Sequence, residues 1–296
     1  MAQPVVHGGR PWSVRLTGRR GSAFWRRLTR SPLTVAGVIG ALLVIALGVF
    51  ADRVAPFPFA EVHLTDRTRT PNLVYLLGTD QFGRDILSRV IFGARISLIV
   101  GVASTTIGSS LGVSLGTLAG YCGGWVDEGI MRSMDVIMAF PSIVLGIALA
   151  AVLGPGLGNV ILIIGLLQIP QFARITRGSV LTVKELDYVL AARALGQGSA
   201  ITVVRHVLPN CVGPIVVLAS LTVSTAIGAE AALSFLGLGI QPPTPSWGNI
   251  LSDGRQYILQ APWISTFSGL AITITILAFN FIGDGLRDAI DPRMRT

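Results

Sequence analysis

Five stretches of the chain, residues 31–51, 96–126, 136–173, 206–229 and 256–283, contain no Asp, Glu, Lys or Arg. An apolar run of about 18 or more residues crosses a hydrocarbon layer about 30 Å thick as a helix, so each stretch predicts at least one membrane span. The stretch 136–173 is too long for one helix, and Gly154-Pro155-Gly156-Leu157-Gly158 breaks it with residues that favour a turn. The pattern therefore predicts six transmembrane helices, near 31–51, 98–119, 133–153, 158–175, 212–233 and 264–283. This is an all-α polytopic membrane protein, and an even number of spans puts both termini on one side.

The basic residues choose that side, because short loops rich in Arg and Lys stay in the cytoplasm. With the N-terminus inside, sixteen of the 23 basic residues fall on the inner side and seven on the outer, so both termini are predicted to be cytoplasmic. Seven arginines and no acid occupy residues 1–30, where Phe24, Trp25 and Leu28 alternate with Arg26, Arg27 and Arg30. That alternation suits a short helix lying in the membrane interface. No small-x-small site follows the first span, which therefore reads as an uncleaved helix.

Composition narrows the class further. Only 13% of the 296 residues are charged, about half the ~25% usual in soluble domains, which excludes a soluble enzyme and a disordered chain. The net charge of +8 comes from arginines flanking the apolar runs, a topology signal and not the basic, aromatic-laced stripe of a nucleic-acid binder. Cys122 and Cys211 have no metal-type spacing and read as small apolar residues; no metal site is expected.

Span 2 carries Gly108, Gly112, Gly116 and Gly120 at four-residue spacing, a face that lets another helix approach closely. The same stretch holds two serine-hydrolase lookalikes, GSSLG (108–112) and GVSLG (112–116). An intramembrane hydrolase needs a base beside the serine, and His7, His63 and His206 all lie outside the spans, so the packing reading prevails. An ion-driven carrier acting alone would place ionisable groups at mid-depth. The candidates, Asp135 and Glu230, lie near opposite ends of their spans. The single lysine, Lys184, stands between Val183 and Glu185, so no Gly-Lys-Ser/Thr phosphate loop exists. If ATP drives this protein, another polypeptide binds it.

The longest inner segment, 176–211, is not loop-like. Residues 184–195 lack Gly and Pro and read as a helix ending at Gly196-Gln197-Gly198; Ser199 can cap a second, in which Ile201, Val204 and Leu208 share a face before Pro209. Residues 187–210, DYVLAARALGQGSAITVVRHVLPN, resemble the cytoplasmic motif of ABC importer permeases: EAA, three residues, Gly, nine residues, Ile-x-Leu-Pro. The match runs through Leu190-Ala191-Ala192, with Arg193, Ala194 and Leu195 as the three spacers, then Gly196, and closes on His206-Val207-Leu208-Pro209. Leu190 stands where the family has Glu and His206 where it has Ile. Three more blocks narrow the resemblance to the dipeptide/oligopeptide/nickel branch, specifically its second permease subunit: LGTDQFGRDILSRVIFGARISL (77–98), EAALSFLGLGIQPPTPSWGNIL (230–251) and FNFIGDGLRDAIDPR (279–293).

The resemblance implies a type I importer permease fold divided into a basic tail (1–30), a first span with its outer loop (31–93), a five-helix core (94–289) holding the coupling loop 176–211, and a C-tail (290–296). It implies a non-catalytic chain in the inner membrane, half of a path for peptides. Nickel chelates, glutathione-like or other small solutes are the alternative cargo. The implied partners are a homologous second permease, two ATPase subunits or a fused one holding ATP and Mg, an extracytoplasmic binding protein and membrane lipids, with no nucleic acid. Residues 190–196 would seat on an ATPase, with His206, Leu208 and Pro209 in the second helix of the loop. The outer segments 52–97 and 234–263 would face the binding protein, their Trp247, Tyr257 and Trp263 serving equally well as membrane-interface anchors. Asp80, Arg84, Asp85 and Arg89 are expected to form local ion pairs leading into span 2, and with Asp135 and Glu230 are candidates for structural or gating roles.

Overall fold

The computed structural model describes residues 31–290; the arginine-rich tail, with its expected interfacial helix, and the last six residues of the expected C-tail lie outside that range. Among the described residues five helices are long and apolar enough to cross a membrane, and a bent pair makes a sixth if counted as one span. They are α1 (Pro32–Val49), α3 (Ile86–Cys122), α6 (Leu157–Val183), α8 (Ser199–Phe235) and α10 (Pro262–Ile290), with the pair α4 (Gly124–Met138) and α5 (Ser142–Leu153). Short helices α2 (Ala51–Val54), α7 (Asp187–Ala194) and α9 (Trp247–Arg255) and a 3-10 turn at Leu64–Asp66 complete the helical elements of the described residues.

Local chemistry explains most of the boundaries. Ser31 caps α1 by accepting from the Thr34 N–H, and Pro32 follows at a position where a missing N–H costs nothing. α3 begins at Ile86, twelve residues before the expected start, because Asp85 caps it by accepting from the Ser88 N–H at 2.8 Å. The hydropathy pattern stops short because Arg89 and Arg95 interrupt it. In the fold both are paired, Arg95 with Asp52 at 2.7 Å, and the helix runs through them.

Two expectations are corrected. The third span is not one helix: α4 and α5 meet at 87° across residues 139–141. Pro141 caps α5 there, having no N–H to continue α4 and holding the residue before it out of helical geometry. The inner segment does not hold two separate short helices either. Helical structure lapses at 184–186, so the first helix is only α7. The second is the start of α8, capped at Gly198 with Ser199 as its first residue and no side-chain cap. A π turn at Val203–Val207 carries α8 past Pro209, whose missing N–H could not serve the Arg205 carbonyl.

The spine is α3 against α6. A Cβ on Gly112 would strike the Phe172 side chain and the Ile169 carbonyl; one on Gly116 would run into the Ala173 carbonyl oxygen. Gly108 and Gly120 meet Gln168 and Val180 in the same way. The four glycines therefore do what their spacing predicts, while Ser110 and Ser114 donate back to backbone carbonyls of their own helix. Two apolar clusters lie on either side. One gathers Val44, Ile86, Ile227, Trp247 and Ile264 from α1, α3, α8, α9 and α10; the other gathers Val100, Val160, Ala226 and Leu233 from α3, α6 and α8. Leu33, Ile39, Leu42 and Leu43 stay exposed on α1, the face a bilayer covers.

Candidate functional site

Two groups of candidate residues sit at opposite ends of the bundle. At one end α7 projects from the spans. Val189 is fully buried against Val180, Val183, Val207 and Cys211, which fixes α7 to the ends of α6 and α8. The rest of α7 faces outward: Tyr188 and Leu190 are each 42% exposed, and Leu195, the residue that ends the helix, is 89% exposed. Ala191, Arg193 and Ala194 are exposed beside them, and Ala192 is half-buried. Gly196 has φ +83°, and a Cβ placed there would meet nothing within 4 Å, so the glycine is required by the left-handed backbone of the bend and not by crowding. Ile201 and Val204 are exposed, at 58% and 66%, so their shared face with Leu208 is turned away from the core; Thr202 and Val207 are the buried positions. The His206 carbonyl accepts from the Asn210 side chain, and Pro209 is exposed. Asp135 pairs with Arg174 at 2.5 Å, joining α4 to α6, and Asp127 pairs with Arg177 one turn further along α6.

At the other end, residues 55–85 and 236–261 close over the spans. The structure brings Asp80, Arg84 and Arg89 together as expected and adds a fourth member that sequence spacing could not supply. Asp80 accepts from the Arg84 Nε at 2.5 Å and lies 3.5 Å from an Arg89 terminal nitrogen. Asp253 of α9 faces both arginines at 3.6 Å. Asp80, Arg84 and Arg89 are buried. Burial holds the Asp253 carboxyl above the usual carboxylate range, against the pull of Arg89 and Arg84. Asp85 stands apart from this network as the cap of α3, accepting also from the Ser88 hydroxyl at 2.7 Å.

Glu230, in α8, is 0% exposed and has no cationic partner among the described residues. Serine hydroxyls surround it instead: Ser234 donates at 2.7 Å, Ser97 of α3 at 3.4 Å, and Ser246, the cap of α9, reaches the same carboxyl. One side chain thus ties three elements. Glu230→Ala would leave those hydroxyls unpartnered in an apolar setting, at about 1–3 kcal/mol per group. The variant should melt well below the parent, and Glu230→Gln, which keeps an acceptor, should melt close to it. Equal melting of the Ala variant and the parent would show that the carboxyl ties nothing.

Of the aromatic residues at this end, Trp247 is turned into the fold and not toward the membrane interface. Trp247 is 1% exposed, its Nε1 donates to the Val90 carbonyl at 2.9 Å, and its ring fills the space left by Gly93. The Trp263 Nε1 donates to the Thr79 carbonyl at 3.1 Å. Both stitch the closing segments to the spans. Sequence reasoning missed Ser97, Ser246 and Asp253 because their roles arise only from partners on other elements of the fold.

A helix projecting from one end of a bundle and a charge-clasped closure at the other fit a conduit component. Residues 112–296 match the family of the binding-protein-dependent transport system inner membrane component. The chain belongs to this family. It is therefore a multi-pass permease of the inner membrane that depends on a binding protein, and it is non-catalytic. Residues 20–73 match the N-terminal TM domain of oligopeptide transport permease C. The permease is 43% identical to the dipeptide transport system permease protein DppC of Alkalihalophilus pseudofirmus, over 92% of this chain and 90% of that protein. It is 43% identical to the glutathione transport system permease protein GsiD of Pectobacterium atrosepticum, over 99% of this chain and 96% of that one. The fold resembles a chain of the MetNI methionine ABC transporter in inward-facing conformations, with a TM-score of 0.58 at 19% identity, covering 70% of this chain and 98% of that one.

Proposed function

We propose that this permease is one half of the translocation path of an ATP-driven importer for short peptides, dipeptides or glutathione among them. Relatives named for those two cargoes, alike at 43% identity over nearly the whole chain, support the substrate class. The fold is of type I, with the bent α4–α5 pair as the sixth span and both termini in the cytoplasm. The basic tail, the first span with its loop, and the five-helix core 94–289 act as successive units. In this orientation α7 is cytoplasmic and the Asp80–Asp253 closure faces the binding protein.

The observation that carries the coupling mechanism is the exposure of Tyr188, Leu190 and Leu195 on a helix anchored through one buried residue, Val189. Apolar side chains presented this way outside the membrane need a protein groove to cover them. An ATPase subunit supplies it, with ATP and Mg bound there and not here, and a homologous second permease supplies the other half of the path. Closure of the ATPases on ATP moves α7. Because Val189 locks α7 to α6 and α8, the displacement passes to those spans as a rigid-body motion.

Leu195→Asp tests this. The side chain is almost wholly exposed in this chain, so folding and membrane insertion should match the parent. ATPase capture should weaken by about tenfold or more, the penalty for burying a charge in an apolar contact. Undiminished co-purification of the ATPase with the variant would remove α7 from the interface.

A further inference from the structure

Two cavities indent the same face of the bundle. One, of about 330 Å³, is lined by Ser142 of α5, Gln168 and Gln171 of α6, and Thr225 of α8. The second, of about 610 Å³, shares Gln171 with the first and continues past Pro214 to Arg287 of α10. Together they make one groove, from the middle of the spans to the α7 end.

The polar groups in this groove are out of place on a lipid-facing surface. Gln171 is the fifteenth residue of the 27-residue α6 and is exposed. An amide at that depth turned to lipid would forgo its hydrogen bonds at a cost of several kcal/mol. Thr225 and Ser142 are exposed beside it. Gln168 is 7% exposed, its Nε2 donates to the Thr222 carbonyl at 3.4 Å, and its Oε1 has no partner. Pro170, between the two glutamines, has no N–H to give the Leu166 carbonyl its usual helical bond. Among the residues lining the two cavities, Arg287 alone is charged, and no acid is present.

We propose that this groove is the chain's share of the translocation path, and that Gln168 and Gln171 take the backbone of an extended short peptide while Arg287 draws its terminal carboxylate toward the cytoplasm. The assignment rests on the peptide-importer reading above. An amide side chain both donates and accepts, matching the alternating N–H and C=O of a peptide whatever its side chains. A neutral wall holds such a cargo weakly, and a path must bind weakly enough to release. With no carboxylate along it, the amino terminus of the peptide meets no ion-pair partner that would trap it. The guanidinium at the inner mouth offers the terminal carboxylate a charge-assisted hydrogen bond.

The assembled transporter in inside-out vesicles tests the assignment. In a background of Cys122→Ser and Cys211→Ser, Gln171→Cys is compared with Ile39→Cys, on the exposed face of α1, using a membrane-impermeant anionic methanethiosulfonate. Gln171→Cys should label about tenfold faster or more, because only a hydrated site forms the reactive thiolate, and labelling should block ATP-driven passage of peptide from the vesicle lumen to the medium. In a parallel variant, Gln168→Leu with Gln171→Leu should cut peptide uptake about tenfold through lost hydrogen bonds, with ATP hydrolysis retained. Labelling no faster than at Ile39→Cys would overturn the proposal by making the face lipid-covered. Labelling only after the second permease is removed would overturn it by making the face a subunit contact. The labelling rate needs no transported solute, so fast labelling at Gln171→Cys together with no peptide import by the parent complex would refute the peptide reading and leave the path in place.

Discussion

Asp80→Ala is expected to cost the folded permease about 3–5 kcal/mol, the penalty for removing one partner from a buried ionic cluster. The Asp80 carboxylate accepts from the backbone N–H groups of Phe82 and Arg84, at 2.8 and 2.9 Å, as well as from the Arg84 Nε. Without it two buried guanidinium groups share Asp253 alone, at 3.6 Å each. Asp80→Asn keeps the backbone acceptor and loses the charge, so it should fall between parent and Ala. Combining Asp80→Ala with Arg89→Met should recover part of the loss, because the stranded cation leaves with its partner. Thermal unfolding of the detergent-purified complex reads all four proteins. A melting temperature for Asp80→Ala within about 2 °C of the parent would mean that the cluster holds nothing together.

Gly116→Leu is the second large effect. A new Cβ there would overlap the Ala173 carbonyl oxygen, and this neighbour is backbone, which cannot rotate away. α3 and α6 would have to separate along their length, giving up the contacts that Gly108, Gly112 and Gly120 also make. Overpacking a core costs about 1–3 kcal/mol where side chains can yield; here they cannot, and loss of assembled complex is the expected result. Gly129→Ala is the control. Nothing lies within 4 Å of its Cβ position in α4, and the exchange should stabilise that helix by up to about 1 kcal/mol. Comparable yields of the Gly116→Leu and Gly129→Ala complexes would show that α3 and α6 do not need their close approach.

Much of this was legible in the primary structure. Uncharged runs located the spans because a membrane-crossing helix must be apolar along its length. The four-residue spacing of glycines foretold the α3–α6 contact because that period keeps small residues on one helical face. Asp80, Arg84 and Arg89 are near enough in sequence for their pairing to be read there. The bend at Pro141 was not read: proline is a break signal, but the uncharged run continues across it as it would in a single helix.

Other features needed the fold. Arg89 and Arg95 look like the end of a span until Asp253 and Asp52 are brought to them, and then α3 continues through both. Glu230 looks like a stray acid near a helix end until Ser97 and Ser246 arrive from other elements. Trp247 passes for an interface anchor until Gly93 gives its ring a place inside. Gln171 is one polar residue in an apolar run, and only the packing of α5, α8 and α10 around it turns a sequence irregularity into the wall of a groove. Hydropathy and spacing act over a few helical turns and are fixed by the order of residues. Charge pairing, cavity shape and exposure depend on which distant surfaces meet, and those were decided by tertiary structure alone.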